Sequence, residues 1–561
     1  MTRRLWIAAA TVLVAALGFT LATLPPAPTA LAVTRPSTTL LGAYHVHTTR
    51  SDGSGTIGDV AAAAARAGLQ FVIVTDHGDA TRPPDAPAYH NGVLVIDAVE
   101  ISTRDGHVVA LGLIGPSPYP LGGEGRDVIE DVRRLRGWTV AAHPDSTKDG
   151  LRWRGPATDA IEWINADSEW RDDPPRTVVL TAAHALFRPA AAITALFRPP
   201  SQTWRRWNTW ARTGLIPGLA AVDAHANISV GEHDEPRVSR TLFARPTYED
   251  MFRTLVQGVW LPAPPTGDAA ADAAAVLDAM REGRTYSAVH GLASPALLNV
   301  AISNTTLTAS VDGAGDARLT VWVGDREAAT GLGRVQAPTG SPGLYRVTAT
   351  WPGSEVPWIV SAPLFVAAGD APSTAPETTS SDAQAPGLHL ASDGIWTVEH
   401  DPASTASWST EGEATVFTFA LAGGAARSQF AAVAHALTPT DSFEAIRFTV
   451  SADRPRRFSV QVRMPSASAD GERWVRSVYA DQWPREIVLR LSDFAPAVPT
   501  SRRPIAARLQ SLLFVVDGPN TPPGTRGQIT LRDVTLIPPT TPAGPLDATS
   551  ARSAATQAPR R

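Results

Sequence analysis

The sequence predicts an α/β layer, closed into a barrel, followed by two all-β domains. Three observations predict it. Five short apolar runs in the first half each end on a histidine or a carboxylate: residues 41–44 run into His45 and His47, 71–75 into Asp76 and His77, 93–99 into Glu100, 138–142 into His143, and 218–222 into Asp223 and His225. Runs of this length, with β-branched residues, read as the buried strands of an α/β fold, where binding groups sit at the carboxyl ends. Ala-rich stretches of helical pattern lie between them at 57–67, 126–136 and 269–281, the alternation of a parallel layer. After Pro295 the texture changes to short alternating segments separated by Gly and Asn, which read as a β-sandwich.

At 561 residues the chain exceeds one hydrophobic core, and about three folded units are expected. Residues 1–38 open with Arg3 and Arg4, followed by an uncharged, mostly apolar stretch from 5 to 24, a Pro-rich segment and Ala30-Leu31-Ala32. This pattern is that of a secretory signal with a small-residue cleavage site, or of an uncleaved single-span anchor. Either way the body is expected outside the cytoplasm, with the membrane met only through this segment. Residues 39–294 form the α/β layer. Within it, 174–213 is a helical insertion whose Trp204, Trp207 and Trp210 recur at i, i+3, i+6 and read as one packed face. Residues 295–366 are the small sandwich, with strands expected at 297–302, 317–323, 343–351 and 358–366. A linker rich in Pro, Ser, Thr and Ala spans 367–386 and is expected to be extended. The second β domain spans 387–538, with strands at 443–450, 457–463, 486–491, 511–516 and 527–534, and the tail 539–561 has a composition that cannot bury a core.

Composition narrows the function. A net charge of -5 and a pI near 6.2 argue against a bulk nucleic-acid binder, which carries a basic face. The chain has no cysteine, which excludes disulfides, thiolate zinc sites and cysteine nucleophiles, so any metal must be held by nitrogen and oxygen.

The polar strand ends fit that requirement. In His45-x-His47 alternate residues of a strand point to one side, so two imidazoles converge if the strand end opens slightly. The next turn presents Asp52. Asp76-His77 closes the second strand, Glu100 the third, and His107 opens a strand hairpinned onto Glu100. His143 precedes Pro144, which stops its strand, and Asp223-x-His225 repeats the alternate spacing. Nine nitrogen and oxygen donors exceed what one ion uses, whereas about three protein ligands per ion leave positions for water and substrate. Mixed imidazole and carboxylate ligation suits zinc, manganese or iron. Asp76 reads as an outer partner that accepts from a ligand imidazole and fixes its tautomer.

Taken in order, His45-Val46-His47-Thr48, Ser51-Asp52-Gly53, Thr75-Asp76-His77, Glu100, His107, His143-Pro144 and Asp223-Ala224-His225 resemble the motifs of the polymerase and histidinol phosphatase (PHP) superfamily. The chain is similar to its metallohydrolases of the carbaryl and microcystin-degradation type. Glu162-Trp163-Ile164-Asn165 and residues 281–286 support the resemblance, which covers 39–294. It implies a distorted (β/α)7 barrel with a cluster of two or three divalent ions at its C-terminal face. In the family pattern His45, His47 and Asp223 hold the first ion, Glu100 bridges to the second, His107 and His143 hold the second, and Asp52, His77 and His225 hold the third. Glu100, Asp223 and His225 are expected to serve catalysis as well as ligation.

Other residues receive blander readings. His90, His184 and His233 read as solvated or packed, His290 as packed, and Lys148, Arg152 and Arg154 as a solvated loop rather than an anion site. The second β domain resembles galactose-binding-like jelly rolls, with Trp396, Trp408, Trp474 and Trp483 read as core before sugar-stacking residues. The leading reading is an exported metal-dependent phosphoesterase, a hydroxide shared by the ions attacking a small, anionic phosphorylated substrate. The same nucleophile would also serve amide, carbamate or ester hydrolysis. A reading of a different class is a cell-envelope glycan-binding protein that uses the barrel as scaffold.

Overall fold

The computed structural model describes residues 2–147, 150–152, 157–230, 240–243, 246–303, 305–340, 342–366, 387–390, 396–424, 429–438, 443–466, 471–498, 500 and 503–538. Lys148, Arg154, His233, the linker 367–386 and the tail 539–561 lie outside the described residues. The chain divides into two compact units, one of residues 1–117 and 121–373, the other of 118–120 and 374–561.

The first unit is mixed α/β. Helix α1 (Thr2–Ala22) precedes β1 (Thr39–Val46), α2 (Ile57–Arg66), β2 (Phe71–Val74), β3 (Val93–Asp97), β4 (Val99–Thr103) and β5 (Gly106–Leu111). Then come α3 (Gly125–Arg134), β6 (Trp138–Ala141), β7 (Ala160–Asn165), the insertion helices α4 (Ala166–Arg171), α5 (Pro175–Ala185), α6 (Pro189–Thr194) and α7 (Ser201–Trp210), and β8 (Gly218–Ala221). Helix α8 (Tyr248–Phe252), β9 (Leu255–Trp260), α9 (Ala269–Arg281) and β10 (Thr285–Val289) complete this half. Local chemistry sets the helix starts. Thr56 and Asp59 form a capping box on α2, and Asp268 accepts from Ala271 N at 2.9 Å to start α9, each satisfying first-turn N–H groups.

Two sheets share the work. One has the order β8-β7-β6-β5-β4; the other runs β10-β9-β1-β2-β3 and continues from β10 into the strands after Pro295. The expectation of a parallel layer holds for β1 with β2, β2 with β3, β6 with β7 and β7 with β8. It fails for β4, β5 and β6, which are antiparallel neighbours, and for β9, antiparallel to both β1 and β10. The reason for β4 and β5 is the short turn between Thr103 and Gly106, which cannot hold a crossover. At the carboxyl ends of β1, β2 and β8 and the start of β4 the two sheets meet through isolated bridges, Val46 with Ala224 and His77 with Glu100.

After Pro295, Pro357–Ser361 pairs antiparallel with β10, and one hydrophobic core runs from Val46 and Val74 through Leu307, Val347 and Trp358. The change of texture there accompanies a change to antiparallel pairing inside that core. The insertion packs as expected: Trp207 is fully buried and donates Nε1–H to Ile216 O at 2.7 Å, while Trp204 and Trp210 are half-buried against the same core. A Cβ at Gly218 would lie 2.3 Å from the Trp207 ring, so glycine is what lets α7 lie on β8. The Arg346 guanidinium sits 4.6 Å from each of the Trp204 and Trp207 rings.

Among its described residues the second unit has two six-stranded antiparallel sheets around a core that includes Phe417, Phe448, Trp474 and Phe514. The five strands expected there are present, at Ala445–Ala452, Arg456–Met464, Arg485–Arg490, Ser511–Asp517 and Arg526–Ile537. Trp396 and Trp474 are core and Trp408 packs half-buried against it. Trp483 departs from its core reading at 75% exposure; it stands in the turn between Glu472–Ala480 and Arg485–Arg490, its N–H held by Asp481 Oδ1 at 2.9 Å.

Candidate metal centre

All nine expected donors come together where the two sheets meet. Glu100, only 1% exposed, is the hub. Its Oε2 lies 3.2 Å from His45 Nε2 and 3.3 Å from both His47 Nε2 and His77 Nδ1, and its Oε1 lies 2.9 Å from His107 Nδ1 and from His143 Nε2. Asp223 Oδ1 lies 3.2 Å from His47 Nε2 and 3.5 Å from His45 Nε2. Asp52 faces His47, His77 and His225 at 3.4, 3.8 and 3.2 Å.

The backbone delivers these side chains by bending. His45, His143 and Asp223 have φ of 68°, 27° and 47°, a region that non-glycine residues seldom enter. The β1 to β2 register shifts between Tyr44 and Val46, which is how the strand opens to turn His45 and His47 toward one centre. Such strain persists only where surrounding contacts hold it, and it clusters at functional sites. Here Glu162 accepts from His45 Nδ1 and His143 N, and Asn165 Nδ2 donates to Asp223.

The donors form overlapping groups: His45, His47 and Asp223; His47, Asp52, His77 and His225; and His77, Glu100 and His107. These clusters have the composition and spacing to hold metal ions. His47 and His77 each belong to two groups, a sharing that the expected partition among ions did not include. His47 Nε2, His77 Nδ1 and Asp223 Oδ1 are buried without a hydrogen-bond partner. Buried polar atoms left unpaired are costly. Their close approach without hydrogen-bond alignment is what a shared cation would satisfy, and an oxygen and nitrogen donor set of this kind fits zinc, manganese or iron.

The charge balance agrees. Burial lowers the His47 imidazole, but the Asp223 and Glu100 carboxylates outweigh it and raise it to about 10; His143 rises to about 9 by the same contest, with Glu100 the chief carboxylate. Burial opposes ionisation of Glu100 and Asp223, yet the imidazoles around them hold both well below the usual carboxylate range. His77 is the exception: burial, reinforced by His47 and His107, takes it down to about 4 despite Glu100 and Asp52. Carboxylates that draw protons onto their neighbours this strongly favour positive charge in the centre.

Two outer carboxylates support the cluster. Glu162, fully buried in β7, accepts from His45 Nδ1 at 2.6 Å, from His143 N at 2.7 Å and from Asn165 Nδ2 at 3.0 Å; Asn165 Nδ2 also donates to Asp223 at 3.0 Å. It is the partner that leaves His45 Nε2 free to ligate, a role that its sequence context alone did not reveal. The signal was a lone carboxylate in the apolar run Ala160–Asn165. Asp76 departs from its expected role. Its oxygens accept from Thr48 N, Thr48 Oγ1 and Ser51 Oγ at 2.7, 2.6 and 2.6 Å, so it braces the turn that carries Asp52 instead of a ligand imidazole.

Cavities flank the centre. One of about 390 Å³ is lined by His77, Ala80, Pro84, Val99, Arg50 and Arg82; the two arginines share Asp85 and Asp97. The other, about 340 Å³, reaches from His143 and Glu162 to Glu169 and Arg198, with burial raising Glu169 to about 7 against the Arg198 N–H. Three other described histidines lie elsewhere. His90 is exposed, His184 is buried with Nε2 3.0 Å from Thr23 Oγ1, and His290 is buried and accepts from Ala296 N at 3.2 Å. Arg152 is exposed.

No protein-family model matches the chain, and no curated protein is similar to it. Among solved structures it is similar to a two-domain protein from Bacteroides vulgatus containing a predicted PHP-like metal-dependent phosphoesterase, at 16% identity over 60% of this chain and 98% of that one, with a TM-score of 0.28. It is also similar to the family 11 carbohydrate-binding module from Clostridium thermocellum in complex with a β-1,3-1,4-mixed-linked tetrasaccharide, at 16% identity over 28% of this chain and 98% of that one, with a TM-score of 0.22.

Proposed function

We propose that the chain is an exported metal-dependent hydrolase of the PHP type, a phosphoesterase acting on a small anionic substrate. In this reading the two sheets of the first unit are the halves of a distorted (β/α)7 barrel. His45, His47 and Asp223 would hold one ion, Glu100, His107 and His143 a second, and Asp52, His77 and His225 a third. The observation that carries the reading is the convergence of the nine nitrogen and oxygen donors, with Glu100 against five imidazoles and with His47 Nε2, His77 Nδ1 and Asp223 Oδ1 buried and unpaired. Bound divalent ions supply an acidified water and charge neutralisation at phosphoryl oxygens. The protein's own part is positioning. Glu162 holds His45 by Nδ1, Asp76 holds the turn bearing Asp52, and Arg50 and Arg82 border the cavity beside His77, where they would meet a phosphoryl anion. Glu169, raised by burial to about 7 in the cavity that His143 also lines, would be placed to carry a proton to a leaving oxygen.

Hydrolysis of p-nitrophenyl phosphate and bis(p-nitrophenyl) phosphate with added manganese tests the reading. Turnover abolished by chelator supports it; no turnover with any divalent ion, in protein shown to be metal-loaded, refutes it. For the second unit the exposed Trp483 supports a glycan-binding role, since an exposed indole is a stacking platform for sugars. A glycan array probed with the full chain and with Trp483→Ala tests that part, which fails if both bind nothing.

A further inference from the structure

We infer that α1 is retained as a membrane span and that the exposed face of α5 beside it is seated in the same bilayer, so the first unit rests directly on a lipid surface. Helix α1 contains a candidate span of 20 residues from Arg3 to Ala22, within which an 18-residue stretch has mean hydropathy 2.2 and is 6% buried in the protein. At 1.5 Å per residue that is about 30 Å, the thickness of a bilayer's hydrocarbon core. Arg3 and Arg4 at its start and none at its end orient the body to the far side of the membrane.

The segment after α1 belongs to the folded unit. Thr29–Ala30 pairs in parallel with Ala293–Ser294, Leu31 N donates to Ser294 O at 2.8 Å, and Leu31 and Val33 pack on the main core. Cleavage after Ala32 would remove a paired strand and a partly buried side chain packed on the core, a loss that favours retention of the segment.

The end of α1 is pinned to α5. Thr23 Oγ1 lies 3.0 Å from His184 Nε2 in the last turn of α5, and Arg188 donates to Pro25 O at 2.7 Å. A group hydrogen-bonded to the residue that leaves a span sits at interfacial depth. There, Leu186 is 69% exposed, Phe187 46% and, two turns back on the same face, Val179 70%. Residues 179, 182 and 186 follow the i, i+3, i+7 spacing of one helical stripe, and Ala182 is exposed with them. Large apolar side chains left exposed beside the exit of a span have a bilayer as their nearest apolar partner. The inference is independent of the metal centre's chemistry.

The absence of cysteine makes the test clean. The full chain is reconstituted into vesicles of phosphatidylethanolamine and phosphatidylglycerol, with bimane attached singly at Val179→Cys, Leu186→Cys, Phe187→Cys or, as a control, the exposed Glu282→Cys. Lipids bearing shallow nitroxides should quench the labels at 186 and 187 several-fold more than at 282, with 179 behaving as they do. Equal quenching at all four positions overturns the inference. So do labels shielded from both lipid nitroxide and aqueous iodide, which would mean that another protein surface covers the face. The intact mass of detergent-extracted protein should include residues 2–32; a mass lacking them also overturns it.

Discussion

Glu162→Gln is the most informative single change near the centre, because the geometry leaves its amide no comfortable orientation. The carboxylate accepts three hydrogen bonds, from His45 Nδ1 on one oxygen and from His143 N and Asn165 Nδ2 on the other. A glutamine whose oxygen faces His45 turns its NH₂ toward two donors, stranding them at about 1–3 kcal/mol each. The flipped amide satisfies those donors but offers N–H to His45 Nδ1, which moves the ring proton to Nε2 and blocks that nitrogen as a ligand. Asn165 cannot adapt freely, since its Oδ1 already accepts from Ser168 N at 3.0 Å. Loss of such an outer partner lowers metal affinity about 10- to 100-fold, which is about 1.4–2.7 kcal/mol. Competition with a calibrated chelator measures it, with thermal unfolding of the metal-free protein alongside to separate affinity from fold. Wild-type metal affinity in a folded Glu162→Gln protein would refute the assignment of Glu162.

Asp76→Ala should lower the stability of the first unit by about 1–3 kcal/mol, because it removes the acceptor of the Thr48 N–H and of the Thr48 and Ser51 hydroxyls; thermal unfolding reads it. His290 sets a pH dependence: burial takes it to about 4 from 6.5, so the unfolded chain binds the proton first. Its contribution is complete above pH 6.5 and falls, by up to about 3 kcal/mol, as pH drops through 6.5 toward 4. His290→Gln, which keeps an acceptor for Ala296 N, should flatten that part of the stability profile relative to the native chain. In the second unit Trp474→Ala, at 1% exposure, should cost about 3–5 kcal/mol in urea denaturation. Trp483→Ala, at 75% exposure, should stay within about 0.5 kcal/mol.

The site was legible in the sequence because all its donors but Asp52 and His107 follow the end of an apolar run, and a strand end is a place that sequence periodicity can locate. Glu162 stood out by its motif but not by its role, since its partner His45 is 117 residues away and only the folded sheets bring them together. Asp76 was misassigned for a related reason: which neighbour a strand-end carboxylate meets depends on the turn packed over it. In the fold, the helices at 57–66 and 269–281 start at side-chain caps, while 125–134, which has none, rests on its apolar spacing. Phe430–Ala436 did not read as a strand, because four of its seven residues are alanine and its conformation comes from pairing Val433 with Phe514 and His435 with Trp396. The antiparallel β9 was equally hidden, as hydrogen-bond direction leaves no mark on hydropathy.

The central claim is that Glu100 and the histidines and carboxylates around it exist to hold metal. Elemental analysis of the full chain, purified without chelator and passed through gel filtration, tests it most directly, with Glu100→Gln measured in parallel. The account predicts two or three equivalents of zinc, manganese or iron in the native chain and a marked loss in the variant. A folded native chain that carries no metal and takes up none on addition would contradict it.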